Sequence, residues 1–460
     1  MKTSNWTITT LTTAILVGGF AKGSAQSVDS LLDKLVDKGV LSVREANELR
    51  EEADKDFAKA YSAKSGMPEF VSALKFNGDV RGRYESFYFE NNGAGSGVDR
   101  HRFRYRLRFG VTASLTDNFE VGFRLTSSEA ANGGGGGDPI SGNSSFQDNA
   151  SKKFIYVDLA YARWTALRTE DWLGSVTIGK MENPFALSDL VFDSDYTPEG
   201  AGVRLSYNLS GAQSLKFNGG AFVLDEIGGQ SEDPYFFGGQ VRLESTWDKH
   251  WSSSVGVAWL NIANEQSLAG QIGSTVNPVP DQNRGNTRLP FMTGTPVGAL
   301  TNFLAYDFHP IIADVAVTYT LEEFWQYKAP FPIRVAADFI HNPGAGSENS
   351  AWSAGITFGK AGKKGLWELG YRYKYLEADA WYEELVDSDF GAFYQTPLPG
   401  VSAGYGAGTN VKGHVVKFAY SPYNALTLGV TAIFTELINP SPLTSDSRVT
   451  RVQMDASLKF

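Results

Sequence analysis

From Lys75 to Phe460 the chain alternates apolar and polar side chains with period 2. In "LKFNGDVRGRYESFYF" the apolar or small positions are Phe76, Gly78, Val80, Gly82 and Tyr84, and polar residues fill the gaps. The same texture returns at Phe119–Leu125, Val203–Leu209, Trp367–Tyr375 and Leu426–Phe434. Alternation of this kind marks strands with one apolar and one polar face. Sixteen such segments start near 75, 100, 119, 153, 172, 201, 214, 235, 251, 311, 332, 350, 365, 411, 425 and 448.

Connection lengths alternate too. Long Gly/Asn/Asp/Pro-rich stretches (90–99, 129–151, 180–200, 225–234, 263–309, 342–349, 377–410, 436–447) follow the odd strands. Tight turns such as "TDN", "DKH", "GKKG" and "SPYN" follow most even ones. A soluble sandwich has no reason to keep its long loops at one end, whereas a transmembrane barrel does. The expected fold is all-β, a 16-stranded antiparallel transmembrane β-barrel over 75–460, with a short N-terminal helical segment. The longer even connection 322–331 leaves an eighteen-strand count as the alternative. The last strand, Val452 to Phe460, alternates up to a terminal phenylalanine, like the C-terminal strand of bacterial outer-membrane proteins.

The N-terminal part reads differently. Lys2, a moderately apolar Ile8–Phe20 stretch and small residues at Gly23 and Ala25 predict a signal peptide over 1–25. Within 26–60, Val28, Leu31, Leu32, Leu35 and Val36 recur at helical spacing. A second helix opens at Ser42 with Glu45 three residues on, a capping box. The thin apolar stripe of this periplasmic, coiled-coil-like segment wants a partner, either another copy of itself or the rest of the chain; a plain helical spacer is the alternative. Residues 61–74 form a linker broken by Gly66 and Pro68.

Composition narrows the function classes. The chain has 460 residues, formal net charge −10, no cysteine and 49 glycines, with mean hydropathy −0.23. The acidic total argues against nucleic acid as a partner. The five histidines (His101, His250, His309, His341, His414) show no zinc spacing, so no enzyme is expected. Asp193-Ser-Asp195 offers two carboxylates to a calcium ion but lacks the rest of an EF-hand loop, so a solvated acidic turn is the ordinary reading. No other cofactor is expected.

One strand stands out. "RHRFRYRLRF" places arginine at 100, 102, 104, 106 and 108, with His101, Phe103, Tyr105, Leu107 and Phe109 between. On the lipid face near the midplane an arginine costs roughly 2–4 kcal/mol, and the row spans about 27 Å at 3.4 Å per residue. The arginines therefore face the lumen. Arg81, Arg83, Arg124, Arg204, Lys216, Arg242, Arg334, Arg372, Lys374, Lys417, Arg451 and Lys459 share that parity. Against them stand Asp79, Glu85, Glu120, Asp158, Glu244, Asp314, Asp338, Glu368 and Asp455. Arg81, Arg83, the ladder and Arg124 are the candidate pore-lining cations, and a net basic wall concentrates anions. The bland alternative is a row of arginines each paired with a lumenal acid.

The third long loop, "GKMENPFALSDLVFDSDYTPEGAGVRLSYN", carries Glu182, Asp189, Asp193, Asp195 and Glu199, stiffened by Pro184 and Pro198. Folded inward, Asp193, Asp195 and Glu199 would face Arg102, Arg104 and Arg106. With the helical pair "LLDKLVDKGVLSVREANELREE", the opening "NGDVRGRYE" and the ladder, this loop resembles the putative porins of Gram-negative bacteria, similar in texture to phosphate-selective porins. The resemblance implies a trimeric outer-membrane diffusion channel, set in outer-membrane lipid and lipopolysaccharide, that passes small anionic or polar solutes. No dense lysine cluster marks phosphate specificity. A carbohydrate or neutral-solute porin and a structural outer-membrane anchor are the competing readings.

Overall fold

The computed structural model describes residues 68–90, 99–129, 136–227, 231–268, 284–290, 300–392, 408–440 and 447–460. The expected signal peptide and the helical segment 27–60 lie outside these residues. Ala73–Phe460 is one unit, built on sixteen wall strands.

Strands β1 (Val71–Glu90), β2 (Arg100–Leu115), β3 (Phe119–Ser127) and β4 (Ile155–Arg168) open the wall. They are followed by β5 (Trp172–Lys180), β6 (Glu199–Ser210), β7 (Gln213–Val223) and β8 (Tyr235–Thr246). The second half comprises β9 (Trp251–Ala263), β10 (Ile311–Leu321), β11 (Phe331–His341) and β12 (Ser350–Gly359). It ends with β13 (Trp367–Leu376), β14 (Val411–Tyr420), β15 (Leu426–Leu437) and β16 (Arg448–Lys459). Each strand pairs antiparallel with its sequence neighbours, and β16 returns to β1, from Asp79↔Lys459 to Glu90↔Arg448. The ring is closed, so no wall edge is left unpaired. The count is sixteen rather than eighteen: 322–330 holds only a bridge, Phe324↔Tyr327. The first strand starts at Val71, inside the stretch expected to be linker.

The alternation sorts side chains between two solvents. Phe103 is 58% exposed on the outer face while its neighbour Arg104 is 6% exposed on the inner one. Val255, Val257 and Trp259, or Val430 and Phe434, are likewise exposed outward, and a water-facing surface rarely carries so much contiguous apolar area. Near the short turns Trp172 stacks on Tyr207 at 4.4 Å and Trp251 meets Tyr319 at a tilt, 4.6 Å away. Near the long loops Trp352 meets Tyr373 at 5.2 Å. Aromatics at both rims are what the two interfaces of a bilayer select. No helix among the described residues is long and apolar enough to cross a membrane.

Two departures from regularity shape the interior. Between Arg124↔Leu159 and Leu125↔Val157 the β3–β4 register slips by one residue. Asp158 and Leu159 are therefore both buried, and the phase of β4 reverses beyond them. At the mouth of the third loop, Gly179 and Gly200 are register partners with φ of 106° and 155°. A Cβ on Gly179 would stand 2.3 Å from the Ala160 carbonyl oxygen. Only glycine lets both strands turn there, and the loop between them bends into the lumen.

The apolar core lies inside the barrel, in its long-loop half. Trp381, Leu385, Val386 and Phe390 of the seventh loop and Phe185, Leu190, Val191 and Phe192 of the third pack together. They rest on Phe222, Phe236, Leu260, Ile312, Ile340 and Ile433 of the wall. A two-stranded ribbon, Arg288–Pro290 with Leu300–Leu304, belongs to the fifth loop. At the short-turn end Tyr327, Phe331 and Leu366 make a small second cluster.

Candidate functional site

The ladder strand β2 presents its even-numbered residues to the interior, and almost every arginine there meets a carboxylate. Arg102 donates to Glu85. Arg104 lies 3.9 Å from Glu85 and 3.7 Å from Glu129, and donates to the Asn143 carbonyl at 3.2 Å. Arg106 bridges Asp79 at 3.1 Å and Asp195 at 2.9 Å. Arg108 does the same at 2.7 and 3.5 Å. Arg100 is exposed at the outer end of the strand. On β1, Arg83 forks onto Asp455 at 2.7 and 2.9 Å and reaches Asp389 at 3.1 Å. Arg81 donates only to the Asn143 amide oxygen, at 2.7 Å. Arg124 pairs with Asp158 and, at 3.4 Å, with Glu182.

The third loop, 181–198, crosses the lumen and is tied to three walls. Ala186 exchanges hydrogen bonds with Gln240 on β8, at 2.8 and 3.1 Å. Asp189 pairs with Arg372 at 3.0 Å and Lys374 at 2.7 Å on β13. Asp195 reaches the ladder on β2. Of the three acids expected opposite Arg102, Arg104 and Arg106, only Asp195 stands there. Arg102 and Arg104 are instead taken by Glu85 and Glu129, which lie one strand and one loop away. Glu199 sits at the loop base on Lys180, 2.9 Å away. Asp193 meets no arginine: its carboxylate accepts from the Asp195 amide at 2.8 Å and the Ser388 amide at 2.7 Å.

The Ser388 contact belongs to the seventh loop, which the sequence did not place in the lumen. The Asp193 amide donates to the Leu385 carbonyl at 2.8 Å. Lys374 is 1% exposed, holding Asp189 and Asp387 at 2.7 Å each, with its ammonium 4.9 Å from the centre of the Phe390 ring. Asp389 pairs with Arg83 and, at 2.7 Å, with Arg451. The two loops therefore share one ionic brace under one apolar core. Inside that core burial pushes the Asp193 carboxyl well above the usual carboxylate range, helped by Asp387 and Asp195 nearby. Burial likewise raises Glu384 to about 7, because Arg284 at 3.7 Å is beyond hydrogen-bond reach.

The β4 register slip explains a further omission. Beyond Asp158 the inward parity passes to odd numbers, so Tyr161 and Arg163 face the lumen, both within reach of Glu120 at 2.9 and 3.1 Å. The signal is present in the sequence as a change of apolar phase, from Ile155 and Val157 to Ala160, Ala162 and Trp164. Every other lumenal wall carboxylate is also matched: Glu244 by Lys216, Asp314 by Arg242, Asp338 by Arg372 and Glu368 by Lys417. Wall cations without a carboxylate partner among the described residues include Arg81; Arg204, which donates to the Asn183 and Pro184 carbonyls at 2.7 and 3.4 Å; Arg334; and, toward the strand ends, Arg100 and Lys459, the last three all exposed. No group of three or more metal-ligating side chains converges among the described residues.

No curated protein matches the chain. Among solved structures it is similar to the Salmonella typhi OmpF complex with daunomycin, at 10% identity and TM-score 0.45, covering 84% of this chain and 97% of that one. It is similar to OprB of Pseudomonas putida at 9% identity and TM-score 0.47, covering 84% and 94%. The outer membrane channel DcaP of Acinetobacter baumannii stands at 13% identity and TM-score 0.40, covering 84% and 97%. A family model described as a putative porin matches residues 94–295. That segment, with the ladder strand and the third loop inside it, is similar to the putative porins that the model describes.

Proposed function

We propose that this protein is a bacterial outer-membrane porin through which small hydrophilic solutes diffuse, with a preference for anions. An apolar belt outside and a charged, hydrophilic wall inside support passive conduction. The anion preference rests on one observation: the described wall carboxylates are all matched, while cations that include Arg81, Arg204 and Arg334 are left over. Unmatched cations between low-dielectric walls concentrate the opposite ion. In this reading the ladder contributes structure more than selectivity, because its inner members are neutralised by Glu85, Asp79 and the loop acids. The long loops face outward from the cell, the N-terminal segment lies in the periplasm, and residues 27–60 assemble a homotrimer.

Planar-bilayer recordings in a potassium chloride gradient test this. The reversal potential is expected on the chloride side, and Arg81→Gln with Arg204→Gln is expected to move it toward zero. A cation-selective wild-type channel would sink the reading.

A further inference from the structure

Arg334 stands on β11, with Thr318 of β10 and Thr357 of β12 as its direct register partners. Directly opposed residues share one face of a sheet, so a threonine flanks the arginine on each side of the lumenal wall. The residues one step along, Ala336 and its partners Ala316 and Gly355, are too small to cover it. Arg334 lines two adjoining recesses. One, of about 520 Å³, is edged by Ser252, Ser254 and Thr318. The other, of about 230 Å³, lies between Ala336 and Thr357 on the wall and Ala186 and Leu187 of the third loop. The other arginines there are committed, Arg242 to Asp314 and Ser254 and Arg372 to Asp338 and Asp189.

From this we infer a lumenal binding site for a small monocarboxylate with a short alkyl chain, anchored on Arg334. This rests on the channel reading above. A free guanidinium is a planar fork that matches a carboxylate with two parallel hydrogen bonds. Thr318 and Thr357 can each add a hydroxyl donor. Arg334 has no ion-pair partner of its own, and Asp314 and Asp338 also line the smaller recess, so the site suits a monoanion better than a dianion. Ala186, Leu187 and Ala336 offer the alkyl chain an apolar side. The site is shallow and open to the lumen, so it holds a permeant briefly without trapping it, as conduction requires.

Single-channel recording with butyrate added to a chloride electrolyte tests the site. Butyrate is expected to interrupt the wild-type current in a saturable way. Arg334→Gln is expected to raise the half-blocking concentration about tenfold or more, the loss expected for a charge-assisted hydrogen bond. Arg334→Lys keeps the charge without the fork and is expected to block weakly while conducting normally, so the test survives if the glutamine variant fails to fold. Wild-type current indifferent to butyrate, or block in both Arg334 variants as strong as in the wild type, overturns the site. The reversal potential is read separately: a channel without anion preference that still shows Arg334-dependent block retains the site and loses only the wider reading.

Discussion

Arg106 grips Asp195 with a single nitrogen, Nη1 donating to Oδ1 at 2.9 Å and to Oδ2 at 3.0 Å, while its Nε and Nη2 donate to Asp79. The contact joins the third loop to the ladder across 89 residues of chain. Asp195→Asn removes a charge from a shared ion cluster and leaves Arg106 and Arg108 with Asp79 alone. The expected result is a shift of the reversal potential further toward chloride, with a larger single-channel conductance as the loop loosens. An unchanged potential would mean that permeant ions do not pass this contact.

Lys374 carries more of the structure. Replacing it with Met leaves Asp387 without a cation and Asp189 with Arg372 alone. Breaking a buried pair in this way costs about 3–5 kcal/mol. The folded band of the barrel on a gel is expected to convert to the unfolded one at lower temperature in Lys374→Met. Adding Asp387→Asn is expected to recover part of the loss.

Trp381 is the hub of the lumenal core, with Phe236, Phe192 and Phe308 at 5.9, 6.1 and 6.4 Å. Trp381→Ala is expected to cost the loop assembly about 3–5 kcal/mol. The wall ladders do not depend on it. The barrel is therefore expected to keep its far-ultraviolet spectrum while its conductance rises and the seventh loop becomes open to protease. Wild-type conductance would show that the core lies off the conduction path.

Acidity acts through Glu384, whose pKa burial raises to about 7 from a usual value near 4.5. A carboxyl with a raised folded-state pKa holds its proton more tightly in the folded loop. The stability it lends is complete below about pH 4.5 and is lost as pH rises toward 7, on the order of 3 kcal/mol in total. Closing events and current noise are expected to increase from pH 5 to pH 8, and Glu384→Gln is expected to flatten that trend. A pH dependence that persists in the variant points to Asp193, which titrates in the same direction.

The wall was legible in the sequence because its signal is local. Sixteen alternating stretches and their short and long connections fix strand number and facing without knowledge of any partner. The arginine ladder faces inward for the same reason. Contacts between distant segments were not legible. Glu85 claims Arg102 because β1 lies beside β2 in the closed ring, and no local pattern distinguishes that pairing from one with Asp193. The seventh loop reads as a polar outer stretch, yet Trp381, Leu385 and Phe390 are buried, because the third loop offers them an apolar face inside the lumen. The reversal of phase at Asp158 could have been read, since a single extra residue exchanges the two faces.

The brace at Lys374 and the shared backbone contact between Asp193 and Leu385 also bear on electrical behaviour. Two loops that hold one ammonium between them and share a hydrogen bond do not fluctuate independently. Thermal motion moves them as one mass, so the open current falls in one step to one closed level, with a single dwell-time distribution for each state.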